Sequence, residues 1–233
     1  MTPCLVVAAL LLGGCADDAV DDAAATAAAD ADAPVTIQPQ YLEEIDTLAQ
    51  QPVVQQAFDE IVALEPRTQE ELIMLTEIPA PPFMEERRAN KYLEMLRAAG
   101  ADSTWVDEEG NVLALRRGQS GGRTVALGAH LDTVFPEGTD VTVEARGDTL
   151  YAPGIGDDAR GLMIVLTVLR ALEATGLETE GDLLFIGTVG EEGLGDLRGV
   201  KHLFRAGGPT IDSWIAVDGD GMGRIIHRAL GSH

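Results

Sequence analysis

Basic residues, aromatic rings and cysteine are all scarce in this chain. Against 39 Asp and Glu stand only 16 Lys and Arg, a formal net charge of −23 over 233 residues. An excess of that sign repels phosphate backbones and anionic lipid surfaces, so nucleic acid is excluded as a partner. Aromatic residues make up 4%, yet a hydrophobic share of 45% can still build a substantial core. The two cysteines, Cys4 and Cys15, both fall in the first fifteen residues. The apolar run from Cys4 to Leu12 is too short to span a bilayer as a helix, although it has the size of a signal-peptide core. There is no internal repeat, and the length allows one large domain or two small ones.

That first run ends in Leu12-Gly13-Gly14-Cys15, which resembles the bacterial lipobox. No Lys or Arg precedes the apolar core, so either the true start lies upstream or the signal is weak. The resemblance implies a lipoprotein-type signal over residues 1–15, with Cys4 removed and Cys15 acylated. It also implies export to a bacterial periplasm or cell surface, with membrane contact through the lipid anchor only. No cysteine is then left for a disulfide or a thiolate metal site. Residues 16–40, opening with an Ala- and Asp-rich stretch to Pro34, read as an acidic, self-repelling linker. A catalytic domain is expected over residues 41–233.

Helical apolar spacing covers Tyr41 to Leu64, interrupted at Pro52 and ended by Pro66. Thr68, with Glu71 three residues on, predicts the N-cap of a second helix reaching Ile78. Glu85 to Ala99 is the clearest amphipathic helix, closed by Gly100. Strands are expected at Ser103–Val106 and Asn111–Arg116 around Glu109-Gly110, and at Thr124–Gly128. Val141–Glu144 and Thr149–Tyr151 read as a hairpin around Gly147-Asp148. A long apolar helix over Gly161–Ala174 precedes a strand at Asp182–Thr188, a short helix at Val200–Ala206 and a strand at Ile211–Val217. Such alternation implies an α/β three-layer sandwich with a mainly parallel mixed sheet.

Ligands of such sheets sit beyond the carboxyl ends of the strands, and every expected central strand ends in a group able to bind a metal. His130 and Asp132 follow the first, Glu191 and Glu192 the second, Asp218 the third, and Asp157-Asp158 precede the buried helix. One residue separates His130 from Asp132, so in extended chain both face one side, as suits a ligand and its orienting carboxylate. Asp157-Asp158 could equally cap the helix that follows. Glu191-Glu192 could be a solvated loop; alternatively, diverging side chains let one bind metal while the other takes a proton from metal-bound water. Asp218 could be a turn residue. Together, one imidazole and several acids without a thiol favour a catalytic zinc-type site, and the surplus of acids suggests two metals sharing one of them.

Gly128-Ala129-His130-Leu131-Asp132, Gly156-Asp157-Asp158, Gly190-Glu191-Glu192-Gly193 and Val217-Asp218-Gly219-Asp220 occur in one order. In that order they resemble the dinuclear zinc family of peptidase T (tripeptide aminopeptidase), glutamate carboxypeptidase and acetylornithine deacetylase. The resemblance covers about Leu64 to the C-terminus. It implies two zinc ions, with His130 and Asp218 as ligands of one, Glu192 of the other, and Asp157 bridging both. It further implies that Asp132 orients His130, that Glu191 is general base and acid, and that the Asp157–Asp158 peptide is cis. The implied reaction is amide hydrolysis by metal-bound hydroxide.

In that family a lid or dimerisation domain interrupts the catalytic domain, and a later section brings a second histidine ligand. This sequence ends about where that insertion would begin, and neither His202, His227 nor His233 stands where the family places its second histidine. The expectation is therefore a portion of a longer product, the alternative being a truncated, inactive relative; a homodimer would form through the missing lid. Asp218, where the family's deacylases and carboxypeptidases typically carry Glu, tilts the reading towards an aminopeptidase acting on short peptides. The rivals are an N-acyl amino acid deacylase or carboxypeptidase of the same family, and a non-catalytic surface-binding lipoprotein.

Overall fold

The computed structural model describes residues 37–219. Cys4, Cys15, the linker up to residue 36, His227 and His233 lie outside the described residues. Compactness divides the chain between Glu43 and Glu44, inside the first helix, α1 (Pro39–Ala49). Of the smaller unit, Ile37–Glu43 are described and form the approach to α1 and its first turns; Pro39 and Gln40 are thus helical rather than linker. No helix among the described residues is long and apolar enough to cross a membrane.

From Glu44 onwards the chain builds α2 (Pro52–Ala63), α3 (Glu65–Thr76) and α4 (Glu86–Ala98), then β1 (Ser103–Val106), β2 (Val112–Arg116) and β3 (Thr124–His130). A small hairpin, β4 (Glu144–Arg146) with β5 (Thr149–Tyr151), leads to α5 (Arg160–Thr175). β6 (Asp182–Thr188), α6 (Arg198–Leu203) and β7 (Ser213–Ala216) complete it. Two helical boundaries differ from the sequence reading. Pro66 does not end a helix but sits in the first turn of α3, where a missing N–H costs nothing, so α2 and α3 meet at Leu64. Thr68 is consequently inside α3 and caps nothing; its hydroxyl lies 3.3 Å from that of Thr167 on α5.

The main sheet has the order β1-β2-β6-β3-β7. β2 runs antiparallel to β1 and β6, while β3 is parallel to both β6 and β7, so four of the five strands point the same way. This is the mixed, mainly parallel sheet expected. Alternation along the strands separates two apolar faces. Val112, Ala114, Ala129 and Phe185 pack with Tyr92, Leu96, Leu162 and Leu166 of α4 and α5. Leu113, Ala126, Leu184 and Ile186 face Leu203 of α6 on the other side, which makes the third layer. Gly128 is required there, because any β-carbon would overlap the Trp214 ring.

Two strands shift in ways that matter. β3 does not stop at Gly128 but carries its pairing on to His130, opposite Thr188 of β6. β4 is Glu144–Arg146, not Val141–Glu144: the turn at Gly147 (φ 67°) and Asp148 brings the residues beside it into register, Arg146 against Thr149. On α1 the apolar residues Tyr41, Leu42, Ile45 and Leu48 are exposed, and the helix has no buried residue.

Candidate metal centre

Parallel strands β6, β3 and β7 end at one rim of the sheet, and the chain leaving each carries acids. His130 closes β3 and is buried (3% exposed). Its Nδ1 lies 3.0 Å from the backbone carbonyl of Asp132 and 3.6 Å from the Asp132 carboxylate. The carbonyl can only accept, so Nδ1 carries a proton and Nε2 is the atom turned to the site. Nε2 stands 2.8 Å from Asp157 Oδ1 and 3.9 Å from Asp218 Oδ1.

Asp157 and Asp158 belong to a tight turn, Ile155–Ala159, whose helical dihedrals break at both residues, and the peptide between them is cis. The turn divides their work. Asp157 is exposed and faces His130 Nε2, whereas Asp158 is fully buried. Asp158 Oδ2 accepts the backbone N–H of His130 and Oδ1 that of Gly161, each at 3.0 Å, so one carboxylate joins the end of β3 to the first turn of α5. Asp158 thus does the capping that one reading of the pair expected, and Asp157 is the acid turned to the His130 ring.

The loop after β6 is hung from Asp132. This fully buried carboxylate accepts the backbone N–H of Glu191 on Oδ1 and that of Glu192 on Oδ2, both at 2.9 Å. Asp132 meets His130 more closely through its carbonyl, while its carboxylate places the loop. The two glutamates do not diverge as expected for adjacent residues. Each brings an oxygen into one group with a His130 ring nitrogen, all within 4.8 Å of one another. A second group of that width joins His130, Asp157 and Asp218. His202 stands elsewhere, 3.7 Å from Asp107 and 3.8 Å from Glu109.

So many acids about one imidazole perturb one another. Burial alone would lower the His130 pKa, but the Asp132 carboxylate and the charges of Asp158 and Asp157 outweigh it and push it up to about 10. Burial raises Asp158 to about 8, helped by the charges of Asp218 and Asp157 and opposed by His130. Glu191 and Glu192 are also held above the ordinary carboxylate range, first by burial, then by neighbouring acids against the pull of His130. Asp132 goes the other way: burial is overcome by His130 and the two loop amides, which keep it ionised. Among the described residues the donor set, one imidazole and several carboxylates without a thiol, fits zinc-type ions, and a cation would relieve the repulsion that adds to burial in raising the glutamates.

Of the residues singled out in the sequence, His130, Asp132, Asp157, Glu191, Glu192 and Asp218 all converge. Arg88 gave no such signal. It is fully buried, donating to the carbonyls of Ile78 (2.7 and 3.0 Å), Thr76 (3.2 Å) and Leu131 (2.9 Å), and so fixes the residue between His130 and Asp132. An Arg on an amphipathic helix looks like surface, and nothing in its spacing marked it. Gly161 offers a test of the Asp158 link, since a β-carbon there would overlap the carboxylate. In an ordinary helix Gly→Ala gains about 1 kcal/mol. Gly161→Ala is expected instead to lower the melting temperature by at least ~3 °C, about 1 kcal/mol for a chain of this size. Zinc affinity, measured by calorimetry, should fall with it; a raised melting temperature would sever Asp158 from His130.

A sheet of this topology, with one imidazole and five acids gathered at its strand ends among the described residues, defines an α/β protein with a carboxylate-rich cluster able to hold a metal ion. Residues 126–224 match the sequence pattern of peptidase family M20/M25/M40, in line with the resemblance carried by the four motifs. Carboxypeptidase G2 of Pseudomonas sp. (strain RS-16) is 29% identical over 112 residues, covering 47% of this chain and 26% of that protein. Aminopeptidase PepT from Bacillus cereus ATCC 10987 has the same fold, with a TM-score of 0.58 at 24% identity over 67% of this chain and 44% of its own. A tripeptidase from Staphylococcus aureus subsp. aureus mu50 gives a TM-score of 0.54 at 24% identity, again over 67% and 44%. The chain thus spans about a quarter of the curated relative's length and less than half of these structures.

Proposed function

We propose that this domain serves a zinc-dependent exopeptidase, an aminopeptidase acting on short peptides. The observation that carries the reading is the double grip of Asp132 on the amides of Glu191 and Glu192, which sets both acids beside His130. His130, Asp157 and Asp218 would hold one ion, and Asp157 with Glu192 would contribute to a second. Zinc there supplies Lewis acidity at the scissile carbonyl. Glu191 accepts a proton from the attacking water and delivers it to the amine as the C–N bond breaks. Burial pushes its pKa upward, the direction that favours a carboxylate which must take up a proton and give it back. Asp158 and Arg88 hold the β3 end still beneath it. The proposal includes export and a lipid anchor at Cys15, as the lipobox resemblance implies.

Full-length protein stripped with chelator is expected to lose cleavage of short peptides and to regain it with zinc. Activity indifferent to chelation would end the metal reading. A second reading, a carboxypeptidase or N-acyl amino acid deacylase, is favoured by the similarity to carboxypeptidase G2. Asp218 speaks for the aminopeptidase by analogy with the family. Parallel assays on free and N-acetylated peptides separate the two, because an aminopeptidase needs the free amine.

A further inference from the structure

The loop bearing Glu191 and Glu192 is closed at its base. Gly199 N–H donates to the Val189 carbonyl at 3.0 Å and Arg198 N–H to that of Gly190 at 3.2 Å. The buried Asn111 amide pins the same two ends, accepting from Val189 N–H at 3.1 Å and donating to the Gly199 carbonyl at 3.0 Å. Gly190, Gly193, Asp196 and Leu197 all have left-handed backbone, so the segment turns tightly throughout. Asp132 holds its near side. What these contacts leave open is how the far side of the loop is braced against the rest of the domain.

The Arg198 side chain supplies that brace. Its Nη2 donates to Glu85 Oε1 at 2.7 Å, and its Nη1 to Glu109 Oε1 at 3.0 Å and to the Glu109 carbonyl at 3.1 Å. The stem lies where a β-carbon of Gly190 would stand, with Nε 2.5 Å from that point. Glu85 is itself buried and also accepts the N–H of Phe83, a non-glycine residue at φ 66° whose ring lies 5.2 Å from the guanidinium carbon. Neither Arg198, Glu85 nor Glu109 belongs to the groups that gather about His130. A single planar fork thus ties residue 198, whose backbone N–H holds the Gly190 carbonyl and whose stem packs over Gly190, to two acids on different segments, a task for which a Lys point charge is no substitute.

We infer that Arg198 is a positioning residue for the general base, setting the Gly190–Gly193 turn over His130 through Glu85 and Glu109. The inference rests on the reading of Glu191 as that base. In the full-length protein, Arg198→Gln and Glu85→Gln should each lower kcat about a hundredfold with KM within about threefold, the cost of a displacement near 1 Å. Their effects should not add in the double variant, since both break one contact. Arg198→Lys should recover only part of the loss. A structural role alone predicts a lower melting temperature with kcat per zinc-loaded molecule within about threefold of the parent in all variants, and that result overturns the inference. The cobalt(II)-substituted proteins give a readout independent of turnover. A ligand-field spectrum changed in Arg198→Gln and Glu85→Gln supports the inference, and spectra identical to the parent's overturn it. A parent without zinc-dependent turnover defeats the proposed function instead, and the cobalt spectra still decide the role of Arg198.

Discussion

Glu191→Gln is expected to bind zinc as the parent does and to turn over roughly 10²–10⁴-fold more slowly, the span of general acid–base contributions. The substitution keeps length and shape. It also keeps the loop, because Asp132 holds residue 191 by its backbone N–H and not by its side chain. What is lost is the ability to accept a proton. The competing physical account is that Glu191 is itself a ligand, since its oxygen falls within 4.8 Å of both a His130 nitrogen and a Glu192 oxygen. The two accounts separate when metal content and kcat are measured on one sample. Zinc lost together with turnover makes Glu191 a ligand, and undiminished turnover removes it from the chemistry altogether.

Arg88→Met should cost about 3–5 kcal/mol of stability, because three buried backbone carbonyls lose their charged donor together. Methionine can fill much of the volume, so the loss is electrostatic and polar. Burial pulls the Arg88 pKa down to about 10, against the raising effect of Asp132, yet the guanidinium stays charged at neutral pH. Removing it strands the carbonyls of Thr76, Ile78 and Leu131, each worth roughly 1–3 kcal/mol when left without a donor in the interior. Leu131 lies between His130 and Asp132, so zinc affinity should fall as well. Urea unfolding of metal-free and zinc-loaded protein measures both effects. An unchanged midpoint would mean that water or another donor takes over the three carbonyls.

The fold was legible where apolar periodicity was strong. β6 was read with its exact bounds, and α4 and α5 to within a residue or two, because their burial patterns are written into the spacing of their apolar residues. It was less legible where a turn decides register, as at Gly147, or where a proline has two structural meanings, as at Pro66. The site was legible for a different reason: His130, Asp157, Glu191, Glu192 and Asp218 each stand at or just after a break in an apolar run, and topology brings those breaks to one rim. What could not be read were residues whose role depends on contacts across long sequence distances. Arg88 grips a carbonyl 43 positions away, Arg198 a carboxylate 113 away and Asn111 an amide 78 away. Local spacing contains no trace of such pairs, and a charged residue on a helix face reads as solvated by default.

The manner in which Asp132 holds its loop has a consequence for redesign. A carboxylate that grasps two main-chain N–H groups is blind to what hangs from the α-carbons it fixes. Positions 191 and 192 are therefore sockets, able to present other reactive groups at the same spot without a new scaffold. Residue 132 offers no such freedom, because a neutral amide there would confront one of the two donors with a donor of its own.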